Sequence, residues 1–181
     1  MNNSIQILAW LAAATAALLL AFATPDESTL MGRVPTMNVK RLNQQPIAIP
    51  HGLPAGRTLA LVPFERGHHG EIESWIKGLQ LRETTAIAWL TMPVLNDPGS
   101  ESARIDIESS MRARHSNDVD RARLVPVFTD RDAFIRAAGL SGVEHAWALV
   151  IGRDGQVLAR VEGEYDEEKG QTLRETLAQN F

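Results

Sequence analysis

The sequence contains no cysteine among its 181 residues. Disulfide bonds, thiolate nucleophiles, zinc ribbons and thiol redox cycling all require that side chain, so each is excluded for this chain. An excess of positive charge is also missing, because 18 Lys and Arg residues stand against 22 Asp and Glu residues, a formal net charge of -4. Proteins that bind DNA, RNA or anionic membrane surfaces usually carry a basic patch. The composition therefore predicts no nucleic-acid partner.

One long apolar run is present, from Ile5 to Ala23, and it carries no charged residue. A membrane-spanning helix needs about 17 to 25 apolar residues, whereas the apolar core of a signal peptide needs about 7 to 15. Ala21-Phe22-Ala23 has the small-x-small form of a cleavage site, but the residues before Ile5 lack the Lys or Arg that normally fixes orientation. Residues 1–24 are therefore predicted to be a signal peptide or a membrane anchor, with the anchor favoured.

Acidic residues follow this run, and no basic residue occurs before Arg33, which favours export of the C-terminal side. We therefore expect the protein to contact the membrane through residues 5–23. It would lie on the periplasmic side of the inner membrane, or free in the periplasm after cleavage near Ala23. Residues 25–36 are polar and predict a short tether, followed by one domain over residues 37–181.

The domain alternates short apolar runs with amphipathic stretches, which predicts an α/β fold. A strong hairpin signal is the Asp154-Gly155 pair between two apolar runs. The predicted elements are a hairpin over 37–41 and 46–49, a strand over 58–64, a loop over 65–70, a helix over 71–81, a strand over 85–90, a helix over 100–114, a strand over 124–128, a helix capped by Thr129 and running through Leu140, a hairpin over 146–151 and 156–161, and a helix over 165–180.

This order resembles the peroxiredoxin-like and thiol-reductase-like members of the thioredoxin superfamily, over roughly Met37 to Phe181. The pieces that carry the resemblance are TLALVPF with its loop and helix, and the closing segment VEHAWALVIGRDGQVLARVEG. The resemblance implies three layers, α/β/α, with a mixed central sheet and an N-terminal hairpin, preceded here by one apolar helix. In that superfamily a CxxC pair lies in the loop after the first core strand, and a cis-proline precedes the penultimate strand. The corresponding positions here read Glu65-Arg66-Gly67-His68-His69-Gly70 and Val143-Glu144-His145-Ala146.

Two narrower resemblances imply different functions. The stretch over 108–140, with the closing hairpin, is similar in layout to the mitochondrial assembly factor of the ATP synthase membrane sector, a thioredoxin-like family that works by binding. Val143-Glu144-His145 resembles the Val-Asp-His of the Sco copper chaperones, which bind copper through two cysteines and that histidine. This chain retains only the histidine.

His68, His69 and His145 are the candidate metal ligands, because the implied topology brings the segment before the penultimate strand toward the loop after the first core strand. Neutral imidazole suits copper, zinc or nickel, and Glu71 or Glu73 could supply an oxygen ligand. The alternative is that the adjacent histidines lie in a solvated loop and bind no metal. This alternative is favoured, because short motifs in a single sequence often match without the function they suggest. No cofactor is therefore expected, with copper or zinc as the alternative.

Trp75 is a candidate partner contact, since tryptophan is favoured at interaction hot spots, but its helical spacing with Ile72, Ile76 and Leu79 predicts a core face. No catalytic set is predicted: Ser74 lacks a nucleophile elbow, and Asp130 and Asp132 have the positions of a helix cap and first turn. The sequence therefore predicts a non-redox, thioredoxin-like envelope protein that acts by protein binding, in assembly of a membrane complex. The alternative is a copper-binding or copper-delivery protein.

Overall fold

The computed structural model describes residues 31–179. These residues belong to one compact unit that begins at Met31. The apolar run and its predicted cleavage site lie outside the described residues. Within the described range, every helix is too short or too polar to cross a membrane.

Eight strands and five α-helices occur in this range. In chain order they are β1 (Met37–Lys40), β2 (Pro46–Ile49), β3 (Arg57–Val62), a 3-10 turn (Arg66–His68), α1 (His69–Gly78), β4 (Trp89–Thr91), β5 (Val94–Asn96), α2 (Glu101–Arg114), α3 (Asp118–Arg123), β6 (Val127–Thr129), α4 (Arg131–Ala137), β7 (Trp147–Gly152), β8 (Val157–Glu162) and α5 (Glu167–Ala178).

The central sheet is mixed, as predicted, with the order β4-β3-β7-β8. β3 is parallel to β4 and antiparallel to β7, and β7 forms an antiparallel hairpin with β8. β5 continues the line of β4, because the Val94 N–H donates to the Pro63 carbonyl at 3.0 Å just beyond β3. β6 pairs with β5 in parallel and closes that edge of the sheet. Five strand positions therefore run β6, β4/β5, β3, β7, β8.

The two faces of the sheet are covered by different elements. All six residues of β7 and five of the six in β3 are buried, which explains why both strands have continuous apolar sequences rather than alternating ones. One face packs against α1 and α5 through Trp75, Ile76 and Leu173. The other packs against α4 and the β1–β2 hairpin through Phe134 and Ile49. The predicted three-layer α/β/α architecture is confirmed.

The folded unit begins at Met31, within the segment 25–36 that is predicted to be a tether. Val34 is 1% exposed and belongs to the core, and its N–H donates to the Gly155 carbonyl at 2.8 Å. The Gly32 carbonyl accepts the Val157 N–H at 3.1 Å, and Arg160 donates to the Met31 carbonyl at 2.9 Å. Residues 31–34 are thus a strap hydrogen-bonded along the start of β8, and not part of a free linker.

Other boundaries also differ from prediction. α1 begins at His69, preceded by the 3-10 turn, so the predicted loop over 65–70 is largely helical. The strand predicted over 85–90 begins only at Trp89. Asp130, rather than Thr129, caps α4 by accepting the Ala133 N–H at 2.9 Å. α3 was not predicted, because its sequence DVDRAR has no apolar periodicity and none of its residues is buried.

Candidate functional site

Four chain segments meet at one end of the central sheet, which we call the carboxyl end. They follow the parallel strands β3, β5 and β6 or precede β7, which is antiparallel to β3 and so starts where β3 stops. Ligands of open α/β sheets bind preferentially beyond the carboxyl ends of parallel strands. The four segments are residues 63–70, 96–100, 130–131 and 143–146.

Glu71 joins two of these segments. It lies in the first turn of α1, and its Oε2 accepts the backbone N–H of Ala146 at 2.6 Å. Its Oε1 lies 2.8 Å from Nδ1 of His145. One carboxylate therefore bonds two consecutive residues of the segment before β7, and fixes that segment against the N-terminus of α1.

The protonation of this pair follows from its contacts. Partial burial raises the pKa of Glu71, but the hydrogen bonds from His145 and Ala146 outweigh burial, and the pKa of Glu71 is lowered overall. The hydrogen bond to Glu71 and the charge of that carboxylate raise the pKa of His145. A carboxylate facing an imidazolium is therefore the favoured state in mildly acidic solution.

His68 does not lie in a solvated loop. It is 3% exposed, packs edge-on against Phe64, and its Nδ1 accepts the Phe64 backbone N–H at 3.2 Å. A ring nitrogen that accepts a hydrogen bond carries no proton, so the neutral imidazole holds its proton on Nε2. That Nε2 is buried without a hydrogen-bond partner, 3.5 Å from Oε1 of Glu65.

His69 and Glu73 do not join His68. His69 is the exposed first residue of α1. Glu73 forms a two-point ion pair with Arg82, with both N···O distances at 3.0 Å. The hydrogen bond from Arg82 lowers the pKa of Glu73. Glu73 therefore pairs with Arg82, nine residues further along the chain, and not with a histidine of the predicted site.

The donor set does not fit a copper or zinc centre. A histidine ligand must present an unprotonated nitrogen to the metal, whereas Nδ1 of His68 is hydrogen-bonded and Nε2 carries the proton. Nδ1 of His145 faces Glu71. No group of three or more His, Asp or Glu side chains arranged to hold a metal occurs in the region 31–179. The three imidazoles are not assembled into a site, and no observation favours copper delivery.

Trp75 and Ser74 have structural partners. Trp75 is 1% exposed, donates from Nε1 to the Gly163 carbonyl at 2.8 Å and meets Tyr165 edge to face, so the predicted core face of this helix is confirmed. Ser74 donates to the Glu71 carbonyl at 2.6 Å and accepts the Tyr165 N–H at 2.9 Å. Neither side chain is available to a partner or a substrate in this arrangement.

Two residues of the carboxyl end, Glu65 and Arg131, are not among the site residues predicted from the sequence. Glu65 places its 66% exposed carboxylate beside His68. Arg131 follows β6, and its Nε is buried without a hydrogen-bond partner. Glu65 could have been found as an acidic residue preceding a helix N-terminus. No local signal marks Arg131, because its surroundings are set by the neighbouring strand β5.

Comparison with known proteins establishes the fold. No protein-family model and no curated protein sequence matches the chain. Among solved structures it is similar to a protein of Aquifex aeolicus VF5, with TM-score 0.55, 12% identity, and coverage of 82% of this chain and 97% of the other. A thio-disulfide isomerase from Thermus thermophilus superposes with TM-score 0.50 at 16% identity, covering 83% of this chain and 98% of the other.

BsSco, described as a member of the Sco family of cytochrome c oxidase assembly proteins, superposes with TM-score 0.52 at 11% identity, covering 81% of this chain and 92% of the other. These likenesses span four-fifths of the chain and almost the whole of each neighbour, and at identities of 11 to 16% they show the fold. The chain is thus a protein of thioredoxin-like fold that contains no cysteine.

Proposed function

We propose that this protein acts without redox chemistry, by binding another protein at the carboxyl end of its sheet. The Glu71 bridge supports this most directly. It holds the N-terminus of α1 and the segment before β7 in a fixed relation through two hydrogen bonds of 2.6 and 2.8 Å. A preorganised surface loses less conformational entropy on binding than a mobile one.

The chain itself supplies no thiol for that surface. The segments that would surround a reactive group are in place, and their polar side chains include Glu, Asp, Arg and His but no cysteine. We infer that this end of the fold serves recognition rather than electron or disulfide transfer.

The proposed setting is the periplasmic face of a membrane, with residues 5–23 as an anchor. An anchored binding domain is suited to hold or orient membrane subunits while a complex is assembled. BsSco, one of the structural neighbours, is described as belonging to a family of cytochrome c oxidase assembly proteins. We therefore propose assembly of a membrane complex as the process in which the binding occurs.

Deleting the gene in the organism that makes the protein tests this function. We expect native gel electrophoresis of its membranes to show loss of one complex, with its unassembled subunits still present. Re-expression of the full chain should restore the complex, whereas His69→Asp should not. His51→Asp is the matched control, because His51 is also an exposed histidine and lies in the loop after β2. Unchanged membrane complexes in the deletion strain would contradict the proposal.

A further inference from the structure

Strand β8 lies at an edge of the central sheet, with the order β4-β3-β7-β8, and pairs on one side with β7. On its other side the strap over residues 31–34 covers only its beginning. Arg33 is bridged to Gln156, and the Gly32 carbonyl accepts the Val157 N–H at 3.1 Å. Beyond Val157, no other strand of the described chain lies on this side of β8.

The hydrogen-bond pattern shows which backbone groups of β8 face outward. The Gly163 N–H donates to the Ala146 carbonyl at 2.8 Å, and bonded and non-bonded residue pairs alternate along an antiparallel ladder. Val161 therefore bonds to β7, whereas the N–H and C=O groups of Arg160 and Glu162 point away from β7. No hydrogen bond within the described part of the chain uses these outward groups. Unpaired backbone groups along an edge are a template for another strand.

The other edges in the described range are less suited to strand addition. In β6, Val127 bonds toward β5, so the neighbouring Pro126 faces outward and has no N–H to donate. In β1, the exposed residues at alternate positions are Asn38 and Lys40, and lysine is one of the residues that discourage strand addition.

The outward positions of β8 carry opposite charges. Alternate residues of a strand point to the same face, so the side chains of Arg160 and Glu162 lie side by side. Arg160 donates to the Met31 carbonyl at 2.9 Å, and Glu162 accepts the Ser141 hydroxyl at 3.3 Å. Neither has an ion-pair partner between residues 31 and 179. Both charges are therefore available to a strand that pairs with this edge.

Charge determines the register in which two copies of β8 would pair. Two identical antiparallel strands are related by a twofold axis, which can pass through residue 160, 161 or 162 if the outward groups are to bond one another. An axis at Arg160 places arginine opposite arginine, and an axis at Glu162 places glutamate opposite glutamate. Like charges directly opposite each other are destabilising. An axis at Val161 instead places Arg160 of each copy opposite Glu162 of the other, and their outward backbone groups can exchange hydrogen bonds.

We propose that β8 is a dimerisation edge, at which a second copy of this chain pairs in the antiparallel direction across a twofold axis at Val161. The occupant is a second copy because the two charges of this edge complement each other within one sequence. The inference goes beyond the proposed function and does not depend on it, since it involves neither the carboxyl end nor its partner protein.

Cysteine substitution tests the register, because the chain contains no other thiol. Opposite residues of a non-bonded pair have Cα atoms about 4.5 Å apart, which lies within the reach of a disulfide. Val161→Cys in the full chain, oxidised in cells that make it, should therefore give a disulfide-linked dimer on a non-reducing gel. Asn38→Cys is the control, since Asn38 is exposed and lies on another edge strand.

The outcomes of this experiment are distinct. A dimer from Val161→Cys and not from Asn38→Cys would support the proposal. Dimers in equal yield from both variants, or no dimer from Val161→Cys, would overturn it. A disulfide from Val161→Cys to a different protein, in place of the dimer, would assign this edge to another partner and also overturn it.

Exchange of the two charges tests the ion pairs. Arg160→Glu or Glu162→Arg alone places like charges opposite each other, and should raise the dimer dissociation constant by about tenfold. The double variant restores opposite charges and should return the constant to the wild-type value. The bond to Met31 is lost in Arg160→Glu and in the double variant alike. A defect in folding would therefore not be reversed by the second substitution.

Sedimentation equilibrium of the full chain in density-matched detergent measures these constants. Arg153→Glu is the matched control, because Arg153 is exposed in the turn between β7 and β8, and it should leave the constant unchanged. A wild-type chain that stays monomeric would overturn the proposal. Equal constants in the wild type and the two single variants would overturn it as well, and so would a double variant that dimerises as weakly as the single ones.

Discussion

At the scale of single residues, Glu71 is the side chain on which the proposed binding surface depends. Its carboxylate holds two groups that lie 74 and 75 residues further along the chain. The other acidic residue of this part of α1, Glu73, bonds Arg82. The two glutamates are close in sequence and differ in partner, so they form a matched pair for substitution.

Glu71→Gln should lower the pKa of His145 toward its ordinary value of 6.5, because the neutral amide cannot stabilise the imidazolium. Proton NMR titration of the His145 ring measures this shift. Glu73→Gln should leave the titration of His145 unchanged. Identical His145 titration curves in the wild type and Glu71→Gln would contradict the bridge.

The same pair predicts how stability depends on pH. Because the pKa of His145 is raised in the folded state, its protonated form stabilises the fold fully below pH 6.5. This contribution is lost as the pH rises through the raised pKa. Because the pKa of Glu71 is lowered in the folded state, its carboxylate stabilises the fold fully above pH 4.5. This contribution is lost as the pH falls through the lowered pKa. The pair therefore stabilises most between pH 4.5 and 6.5.

Urea unfolding of the wild type and of Glu71→Gln, at about pH 6 and about pH 9, measures this dependence. We expect the stability advantage of the wild type to shrink at the higher pH. An advantage that grows with pH would contradict the sign of the His145 shift.

His68 provides a further test at this scale, because its hydrogen bond determines the tautomer. Long-range proton–nitrogen correlation spectra should show the proton on Nε2, and its signal should not change on addition of zinc or copper. A proton on Nδ1, or loss of the signal with metal, would restore His68 as a candidate ligand.

At the scale of secondary-structure elements, α1 and α5 are fitted together around Tyr165. A Cβ built on Gly170 in α5 falls 2.5 Å from Cε2 of Tyr165, whose ring packs edge to face on Trp75 at 5.3 Å between centroids. The ring cannot retreat without disturbing the core. Gly170 is therefore required by packing, although glycine disfavours a helix.

Gly170→Ala should destabilise the protein by about 1 to 3 kcal/mol, the usual cost of overpacking. Gly70→Ala, in the first turn of α1, should be neutral or stabilising by up to about 1 kcal/mol, because its Cβ meets open space and alanine favours a helix. Urea unfolding compares the two. A stabilising Gly170→Ala would show that Tyr165 can move.

The elements differ in how far the sequence could predict them. β7, β8 and their turn follow from apolar runs around Asp154-Gly155, and Gly155 does have a positive φ of 91°. α3 could not be predicted from periodicity, because it lies on the surface. In the structure Asn117 caps this helix by accepting the Asp120 N–H at 2.7 Å.

At the scale of the whole molecule, the site is built from contacts between residues that are far apart in the sequence. The sequence could therefore predict which segments approach one another, but not which of their side chains are in contact. The fold brings His145 to the first turn of α1, as the topology predicts. It contacts Glu71 rather than the other imidazoles, because His68 turns into the core beside Phe64. Side-chain burial of this kind depends on packing that no local pattern contains.

The strap at residues 31–34 could not be predicted from composition, because these residues belong to a segment whose polar composition is typical of a tether. Full-chain Val34→Ala should reduce the free energy of unfolding by about 2 kcal/mol, since Val34 is buried in the core. Thr36→Ala is the control, because Thr36 is exposed. Equal stabilities of the two variants would show that the strap is not part of the folded unit.

Recognition of a partner protein at the carboxyl end of a cysteine-free thioredoxin-like fold is the central claim. Photo-crosslinking of the full chain in its native membranes, with a photoreactive residue at position 69 or 51, tests it most directly. We expect one protein, identified by mass spectrometry, to be crosslinked from position 69 and not from position 51, and to belong to the complex lost on deletion. The same crosslinked proteins from both positions would contradict it.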